Sequence, residues 1–540
     1  MFGIDFGYTT FAFLIFFAVV VILYWLTPKK YRYITLLIAS LTFYALVSWK
    51  SLFFITGTII SMYFFARAIS KNAAESKAYI QEHKEEMSLE EKKAYKEKNK
   101  KKRKTFMILA IVMNIVMLAV MKYMDFVIGN INGIIHWFNP NFSFAFLHLF
   151  LPLGISFYVF QAIGYIVDVY WGKIEAEPNF AKFALFLCYF PKVMQGPIVR
   201  YDEMKEELFG EHTFDYDTFV MGLIRTAWGY FKKLVIADTL FTFIRFGFNN
   251  VNSLSNIEAL LTIFFYFVQD YCDFSGYMDI SIGISGALGV KLPENFRRPY
   301  LSRGIDEYWR RWHMTLGAWF KDYVFYPLSI SKLSLKIGKA SKKVMPEFGK
   351  KIPAVFGLII VWFLTGLWHG ASWNYVLWGL YYGAIIILSV IFDPLIKKFY
   401  AATHIKEHKA SNVAWSIFQW LRTIFLLGVG KILFMAPSLG DAWQLVSKIF
   451  YFGGYDITIT NLNNQLGYIS MIAAIASFIA VVVVDLIEEF HLKGELLLPY
   501  FYKKPIYVKW PLLIALLVII IWFGYYGSGL PHYEFGYVQF

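Results

Sequence analysis

Two histidines stand out in this mostly apolar sequence, because each lies where an imidazole could handle a proton. His369 ends the apolar run Phe363–Ala371, and the flanking Gly366 and Gly370 allow close approach of another backbone. An imidazole titrates near neutral pH, so it can act as the general base that takes a proton from a hydroxyl attacking an acyl carbon. The alternative is a core histidine hydrogen-bonded to a neighbouring helix, and the pattern around His369 admits both.

The second histidine, His313, lies in the segment Tyr308–Met314 beside two arginines, Arg310 and Arg311. Guanidinium groups bind phosphate or carboxylate bidentately, as a pantetheine phosphate or an anionic headgroup would require. Alternatively, the arginines anchor the segment to lipid headgroups and His313 only packs against its neighbours. The residue types leave both interpretations open.

A third polar group interrupts the apolar run around Tyr271–Asp279. Asp273 could orient a histidine, or it is a structurally satisfied carboxylate that breaks the helix. Ser275 belongs to the same polar group. Cys272 is a poor candidate for a nucleophile, because no histidine or other base lies near it in the sequence.

Metal and cofactor signatures are weak. The two cysteines, Cys188 and Cys272, have apolar surroundings and form no ligand pattern. His404 and His408 have the i, i+4 spacing of a metal pair, but the stretch around them is basic and polar, which favours a solvated linker. We therefore expect no metal site and no tightly bound cofactor.

Composition indicates the environment in which these side chains work. The 540 residues are 58% hydrophobic and only 17% charged, whereas soluble domains carry about 25% charged residues. Successive apolar runs are long enough to cross a bilayer, which takes about 20 residues per helix. The net charge of +14 comes from basic residues at the ends of those runs, a placement that indicates membrane orientation and excludes a nucleic-acid groove.

The basic segments also predict an orientation. The first apolar run, Thr9–Leu26, has no cationic region before it and no cleavage site after it, so we expect a retained helix. Basic segments follow at Thr27–Arg32 and Lys98–Lys104, and three membrane crossings place both in the cytoplasm. The N-terminus is then outside.

The chain has one long polar stretch, the charged segment 71–104. Its composition is typical of a solvated cytoplasmic helix pair, either a plain connector or a docking surface for a cytosolic partner. We treat this segment as an insertion within a single membrane domain that covers residues 1–540.

The remaining apolar runs predict an all-α, multi-pass protein with about 11–13 membrane helices, estimated from their lengths. Between Pro293 and Pro327 many charged residues alternate with tryptophans. Such a segment cannot face lipid, so we expect interfacial helices and re-entrant backbone packed against protein. Ionisable groups retained inside a membrane protein mark a functional site by default.

At these residues the sequence resembles the membrane-bound O-acyltransferase family, and within it the bacterial branch that acetylates alginate and related cell-surface polysaccharides. The matches occur in the order that the family shows and are spread over most of the chain. The matching stretches are Phe190–Tyr201, Asp273–Tyr277 with Asp279, Asn295–Phe296, Trp312–Met314, Trp319–Tyr323, Trp368–Gly370 and Phe535–Phe540.

The resemblance implies a ring of tilted helices around a central tunnel, with His369 as the catalytic histidine and His313 as the second histidine of that tunnel. It also implies that a cytoplasmic acyl donor meets its acceptor from the opposite face of the bacterial cytoplasmic membrane. Further residues are expected to bind substrate or donor or to line the tunnel. They are Gln195, Asp273, Ser275, Asn295, Trp309, Arg310, Arg311 and Trp368.

The function implied is transfer of an acyl group, expected to be acetyl from acetyl-CoA or an acyl-carrier thioester, toward a cell-envelope polysaccharide with an extracytoplasmic acetyltransferase as partner. D-alanyl transfer to teichoic acid is the close alternative, although segment 71–104 is longer than the minimal D-alanyl branch leads us to expect. A transporter or lipid flippase is the alternative without covalent chemistry. It predicts internal repeats, and the sequence shows none that is convincing.

Overall fold

The computed structural model of the chain describes residues 6–344, 346–405, 409–451 and 453–526. His408 and the stretch Phe535–Phe540 lie outside the described residues. Helices make up nearly all of the regular structure. Within the described residues, the extended pairing is limited to one isolated antiparallel bridge between Phe296 and Trp312.

The α-helices follow one another along the whole chain. They are α1 Phe11–Leu26, α2 Arg32–Glu82, α3 Leu89–His136, α4 Ile155–Trp171, α5 Phe180–Cys188, α6 Phe190–Val193, α7 Tyr201–Phe209, α8 Tyr216–Tyr230, α9 Asp238–Asn249, α10 Asn256–Ala287, α11 Ile305–Arg311, α12 Met314–Phe320, α13 Tyr326–Ser329, α14 Lys332–Val344, α15 Pro346–Gly349, α16 Ile352–His369, α17 Trp373–Thr403, α18 Lys409–Met435, α19 Leu439–Ile449, α20 Thr460–Leu466, α21 Tyr468–Leu486, α22 Leu497–Tyr502 and α23 Ile506–Phe523. Short π-helical turns occupy Phe231–Ala237, Lys321–Phe325 and Ile487–His491, and 3-10 turns occupy Lys29–Tyr31, Val251–Ser253 and Pro299–Leu301.

Among the described residues, seven helical segments are long and apolar enough to cross a membrane. They are Lys29–Glu82, Leu89–His136, Ile352–His369, Trp373–Thr403, Ser411–Met435, Tyr468–His491 and Ile506–Phe523. Helices α1 and α4 are apolar but shorter. Large apolar side chains are exposed along these segments, as lipid-facing surfaces require. The prediction of an all-α, multi-pass membrane protein is confirmed.

The chain divides into two compact units. The first consists of Met1–Phe219 and Ile284–Leu292, and the second consists of Val220–Gly283 and Pro293–Phe540. The expectation of one domain over residues 1–540 stays a prediction.

In the first unit, the charged segment 71–104 forms the tip of a helical hairpin between α2 and α3. The hairpin turns where Ser88 caps α3, since the Ser88 hydroxyl accepts from the Glu91 amide at 3.2 Å while the Glu91 carboxylate accepts from Ser88. Asn72 donates to Asn99 across the hairpin at 2.9 Å. The polar stretch therefore has a defined helical structure, and its cytoplasmic location remains a prediction.

In the second unit, α16 and α17 pack so closely that their glycines are necessary. A Cβ atom on Gly379 would lie 2.3 Å from the carbonyl oxygen of Trp362, and one on Gly366 would lie 2.3 Å from that of Tyr375. Both obstacles are backbone atoms, which cannot rotate away. This contact holds the end of α16, where His369 lies, against α17.

Replacement of Gly379 by alanine is expected to push α17 away from α16 and lower the free energy of unfolding by about 1–3 kcal/mol, the usual cost of overpacking. Thermal unfolding of the purified protein in detergent measures this. Gly57→Ala is the matched control, because Gly57 also lies in a long apolar helix and a Cβ there meets nothing within 4 Å. Equal stability of the two variants would contradict the close packing.

Candidate functional site

The backbone around His313 is held in an unusual conformation. His313 has φ 47° and ψ 52°, the left-handed region that non-glycine residues rarely adopt. It follows the bridge between Phe296 and Trp312 and precedes α12, and Met314 N donates to Asn295 O at 3.0 Å. Strain of this kind persists only where the surroundings over-determine it, and it is frequent at functional sites.

Asn295 orients the His313 ring. The Asn295 carbonyl oxygen accepts from the backbone N and the hydroxyl of Thr315, both at 3.0 Å. The amide nitrogen of Asn295 lies 3.1 Å and its carbonyl oxygen 3.3 Å from His313 Nδ1. Because the carbonyl oxygen already accepts twice from Thr315, we assign the amide nitrogen as the donor to Nδ1. An accepting Nδ1 places the ring proton on Nε2.

The His313 ring is buried, with 3% of the residue exposed. Burial lowers the pKa of His313 to about 3, so the ring is neutral at pH 7. Phe274 packs edge-on against it with ring centroids 4.8 Å apart. A neutral ring with its proton on Nε2 is suited to donate a hydrogen bond.

His369 is the last residue of α16 and is also buried, at 4% exposure. Its ring packs edge-on against Trp378 at 4.6 Å and Phe434 at 5.3 Å between centroids. Trp368 lies between the two histidines, with centroids 5.0 Å from His369 and 5.8 Å from His313. The second unit thus brings both predicted histidines against one indole.

The rings of Trp368, Trp378 and Phe434 form an aromatic group around His369. Trp309, which was also predicted to line the site, belongs to this group. Its ring lies 5.4 Å from Trp378, 5.2 Å from Trp362 and 5.0 Å from Tyr382. Because Trp378 contacts His369, Trp309 is one ring removed from the histidine.

The polar group on α10 does not break the helix, which continues from Asn256 to Ala287. Asp273 pairs with Lys233 at 2.5 Å, and Lys233 also reaches Asp238 at 2.7 Å. Ser275 accepts from Lys232 at 2.8 Å. Asp273 and Ser275 are therefore parts of a buried charge network between α10 and the π-helical turn Phe231–Ala237.

The two arginines beside His313 are engaged with carboxylates. Arg310 is 68% exposed at its side chain and pairs with Asp306 at 2.9 Å. Arg311 reaches Glu307 at 2.8 Å and Glu489 at 2.9 Å. The pairs with Asp306 and Glu307 lie within α11, and the pair with Glu489 joins α11 to the π-helical turn Ile487–His491.

Gln195 lies in the first unit, directly after α6, and is buried. In the same unit Lys192 is fully buried and donates to Gln161 and, at 2.6 Å, to the carbonyl of Phe186. Gln195 and Lys192 are thus two buried polar residues of one short stretch of the first unit.

Some residues near the site were missed by the sequence analysis. Lys431 and Asp270 form an ion pair next to the aromatic group, and Trp378 and Phe434 contact His369. A lone lysine inside the apolar run of α18 was a usable signal, since charges within spans are rarely accidental. Trp378 and Phe434 lie among other apolar residues, so no feature of the sequence marks them as neighbours of His369.

Two expected results test how Asn295 acts on His313. Asn295→Ala should lower acyl transfer about tenfold, the equivalent of one hydrogen bond. Asn295→Asp should raise the pKa of His313, because a carboxylate favours the imidazolium, so that the change in activity that accompanies protonation of the ring occurs at a higher pH than in the wild type. Rates measured from pH 5 to 8 decide this, with the exposed Asn141→Ala as control. An unchanged profile for Asn295→Asp would contradict the positioning role.

The fold defines a multi-pass membrane protein, and its second unit holds a pair of buried histidines as the candidate site. Comparison with known proteins adds the chemistry. The profile of the membrane-bound O-acyltransferase family matches residues 174–435, a range that includes both histidines.

Full-length relatives give the same result. The chain is 30% identical to the probable alginate O-acetylase of Pseudomonas aeruginosa over 82% of this chain and 75% of the relative. It is 31% identical to the peptidoglycan O-acetyltransferase of Helicobacter pylori, over 78% and 74% of the two chains. The teichoic acid D-alanyltransferase of Bacillus subtilis is 28% identical over 46% of this chain and 61% of the relative. The chain belongs to the membrane-bound O-acyltransferase family, in its bacterial O-acetyltransferase branch, and is an acyltransferase.

Proposed function

We propose that this enzyme transfers acetyl groups from a cytoplasmic thioester, acetyl-CoA, across the membrane for O-acetylation of a cell-envelope polysaccharide. The observation that carries the proposal is the pair of buried histidines on either side of Trp368. The similarity to an alginate and a peptidoglycan O-acetylase over three quarters of their lengths supports the acetyl group and the glycan class.

In the proposed reaction His369 takes the proton from an acceptor hydroxyl as its oxygen attacks the thioester carbonyl carbon. The carbon–oxygen bond forms, the carbon–sulfur bond breaks, and the departing thiolate receives a proton as free thiol. His313 donates a hydrogen bond from Nε2 to the developing charge on the acyl oxygen or to the sulfur. Burial strengthens both interactions, since water does not compete inside the unit.

The proposal also includes the membrane, the orientation of the chain and the side from which the donor approaches. The basic segments Thr27–Arg32 and Lys98–Lys104 favour an orientation with the N-terminus outside. The similarity to bacterial relatives supports a bacterial cytoplasmic membrane. The donor then approaches from the cytoplasm, and an extracytoplasmic acetyltransferase partner completes the transfer to sugar. D-alanyl transfer to teichoic acid is the second candidate, supported by the relative from Bacillus subtilis.

The test is the identity of the ester on the envelope glycan. Cells that carry or lack the gene are treated with mild base, and released acetate and D-alanine are measured per amount of glycan. We expect loss of acetate with D-alanine unchanged in the cells that lack the gene. Loss of D-alanine alone would move the assignment to the second candidate, and no change in either ester would contradict both.

A further inference from the structure

A small cavity adjoins the aromatic group around His369. Its volume is about 30 Å³, and a cavity needs about 10–15 Å³ to hold one water-sized group. Two or three such groups therefore fit. The walls that matter are Asp270, Trp309, Trp378, Tyr382, Lys431 and Phe434.

The cavity is next to the chemistry. Trp378 and Phe434 line it, and both rings also contact the ring of His369, at 4.6 and 5.3 Å between centroids. A group bound in the cavity thus packs against two of the aromatic rings that also contact His369.

One wall supplies a hydrogen-bond donor. The indole Nε1 of Trp309 is buried, and no acceptor for it occurs among the residues that the structure describes. A buried donor without an acceptor costs free energy, so native proteins provide a partner, a water or a bound ligand. The carbonyl oxygen of an acyl group would be such a partner.

A second wall carries the positive charge of Lys431. Lys431 pairs with Asp270. Its Nζ also lies close to the faces of aromatic rings, at distances to the ring centroids between 4.9 and 5.7 Å. These rings are Tyr266, Phe267, Tyr300 and Trp312.

The consequence for a ligand is electrostatic. A carboxylate and the negative faces of aromatic rings are the groups that attract a cation, and here Lys431 uses both. A second cation in the cavity would meet the like charge of Lys431 with no counter-charge of its own, and repulsion is strong away from water. A small neutral group meets no such penalty.

We propose that this cavity is the acyl pocket of the enzyme, and that it selects a two-carbon neutral acyl group and rejects cationic aminoacyl groups. The carbonyl oxygen of the acyl group accepts from Trp309, and Lys431 supplies the rejection. This inference rests on the proposed acyl transfer and specifies the substrate class of the same site.

Three thioesters separate size from charge: acetyl-CoA, isobutyryl-CoA and freshly prepared D-alanyl-CoA. Isobutyryl and D-alanyl have nearly the same shape, but D-alanyl carries an ammonium where isobutyryl has a methyl group. Inverted membrane vesicles from cells that express the full chain are given each radiolabelled thioester, and base-labile label in the glycan is counted. Wild type should prefer acetyl to isobutyryl, and isobutyryl to D-alanyl.

Lys431→Met should raise the ratio of D-alanyl to isobutyryl transfer about tenfold or more, because the Asp270 carboxylate then lacks its partner and attracts the ammonium. Lys431→Arg keeps the charge and should leave the ratio as in wild type. The double variant Lys431→Met with Asp270→Asn carries no unpaired charge, so it guards against misfolding of the single variant. It should raise the ratio less than Lys431→Met does.

Trp309→Phe keeps an aromatic ring but removes the N–H donor. It should lower acetyl transfer about 10²- to 10³-fold, as loss of a donor to the acyl oxygen does, without changing the ratio of D-alanyl to isobutyryl transfer. Wild-type rates in Trp309→Phe would overturn the role of this donor.

The possible results distinguish failure of the acyl pocket from failure of the proposed acyl transfer. If wild-type vesicles transfer acyl groups but neither Lys431→Met nor the double variant changes the D-alanyl to isobutyryl ratio, the acyl-pocket proposal is wrong and the proposed function stands. If wild type transfers none of the three groups, the proposed function itself fails.

Discussion

Replacement of His369 by alanine is expected to lower acyl transfer to the envelope glycan about 10²- to 10⁴-fold, the usual contribution of a general base. His369 is buried at the end of α16 and packed against Trp368, Trp378 and Phe434. The measurement is base-released acetate per amount of glycan at matched membrane abundance of the protein.

The second histidine should respond differently to conservative replacement. His313→Ala is also expected to lower transfer, but His313→Asn should keep more activity than His313→Ala, since an amide can still donate a hydrogen bond. His369→Asn should be as inactive as His369→Ala, because an amide cannot accept and release a proton. The exposed His136→Ala, at the end of α3, should have wild-type activity.

Either of two results would contradict these roles. Full activity in His369→Ala would remove the general base from the mechanism. Equal gains in activity for His313→Asn and His369→Asn over their alanine variants would show that the two rings have the same role. That result would contradict the assignment of a neutral hydrogen-bond donor to His313 and of a general base to His369.

The second large effect concerns stability. Lys233 is 1% exposed at its side chain and is shared by Asp238 at 2.7 Å and Asp273 at 2.5 Å. Lys233→Met leaves two buried carboxylates without their cation, and removal of one partner from a buried ion pair costs about 3–5 kcal/mol. We expect little folded Lys233→Met in detergent, measured by fluorescence-detected size exclusion and thermal unfolding.

Compensating substitutions test whether the loss of stability comes from the unpaired charges. Lys233→Met combined with Asp238→Asn and Asp273→Asn removes the unpaired charges, so stability should return in large part, as it does when whole buried networks are neutralised. Lys397→Met is the surface control, because Lys397 is 74% exposed in its pair with Asp393, and such pairs contribute about 0–1 kcal/mol. If the single and triple variants at Lys233 are equally unstable, the loss is one of packing and the charge argument fails.

Several residues of the candidate site were predictable, because a short stretch of sequence around each of them shows an unusual pattern. Histidines that end or interrupt apolar runs are conspicuous, and both His369 and His313 proved to be buried within one unit. The polar group at Asp273 was also visible. The role of Asp273 could not be predicted, because its partner Lys233 lies 40 positions away in the chain.

Other expectations depended on geometry that the sequence does not contain. Arg310 and Arg311 have the right chemistry for an anionic donor, yet the fold directs them to Asp306, Glu307 and Glu489. Gln195 lies in the first unit, whereas both histidines lie in the second. Which of several equivalent arginines or amides faces a histidine is decided by the packing of helices far apart in the chain.

The sequence by itself determined the membrane class, the all-α structure, the helical hairpin at 71–104 and the choice of His313 and His369 as candidate residues. These features are predictable because hydropathy, charge and helix capping act over a few turns of chain. The tertiary structure alone decided that Trp368 lies between the histidines, that Asn295 holds His313 in one tautomer, and that Lys431 fills the aromatic wall of the cavity. The physical reason is that these contacts join residues tens to hundreds of positions apart. They arise only when long helices pack at one depth, and no local pattern specifies that packing.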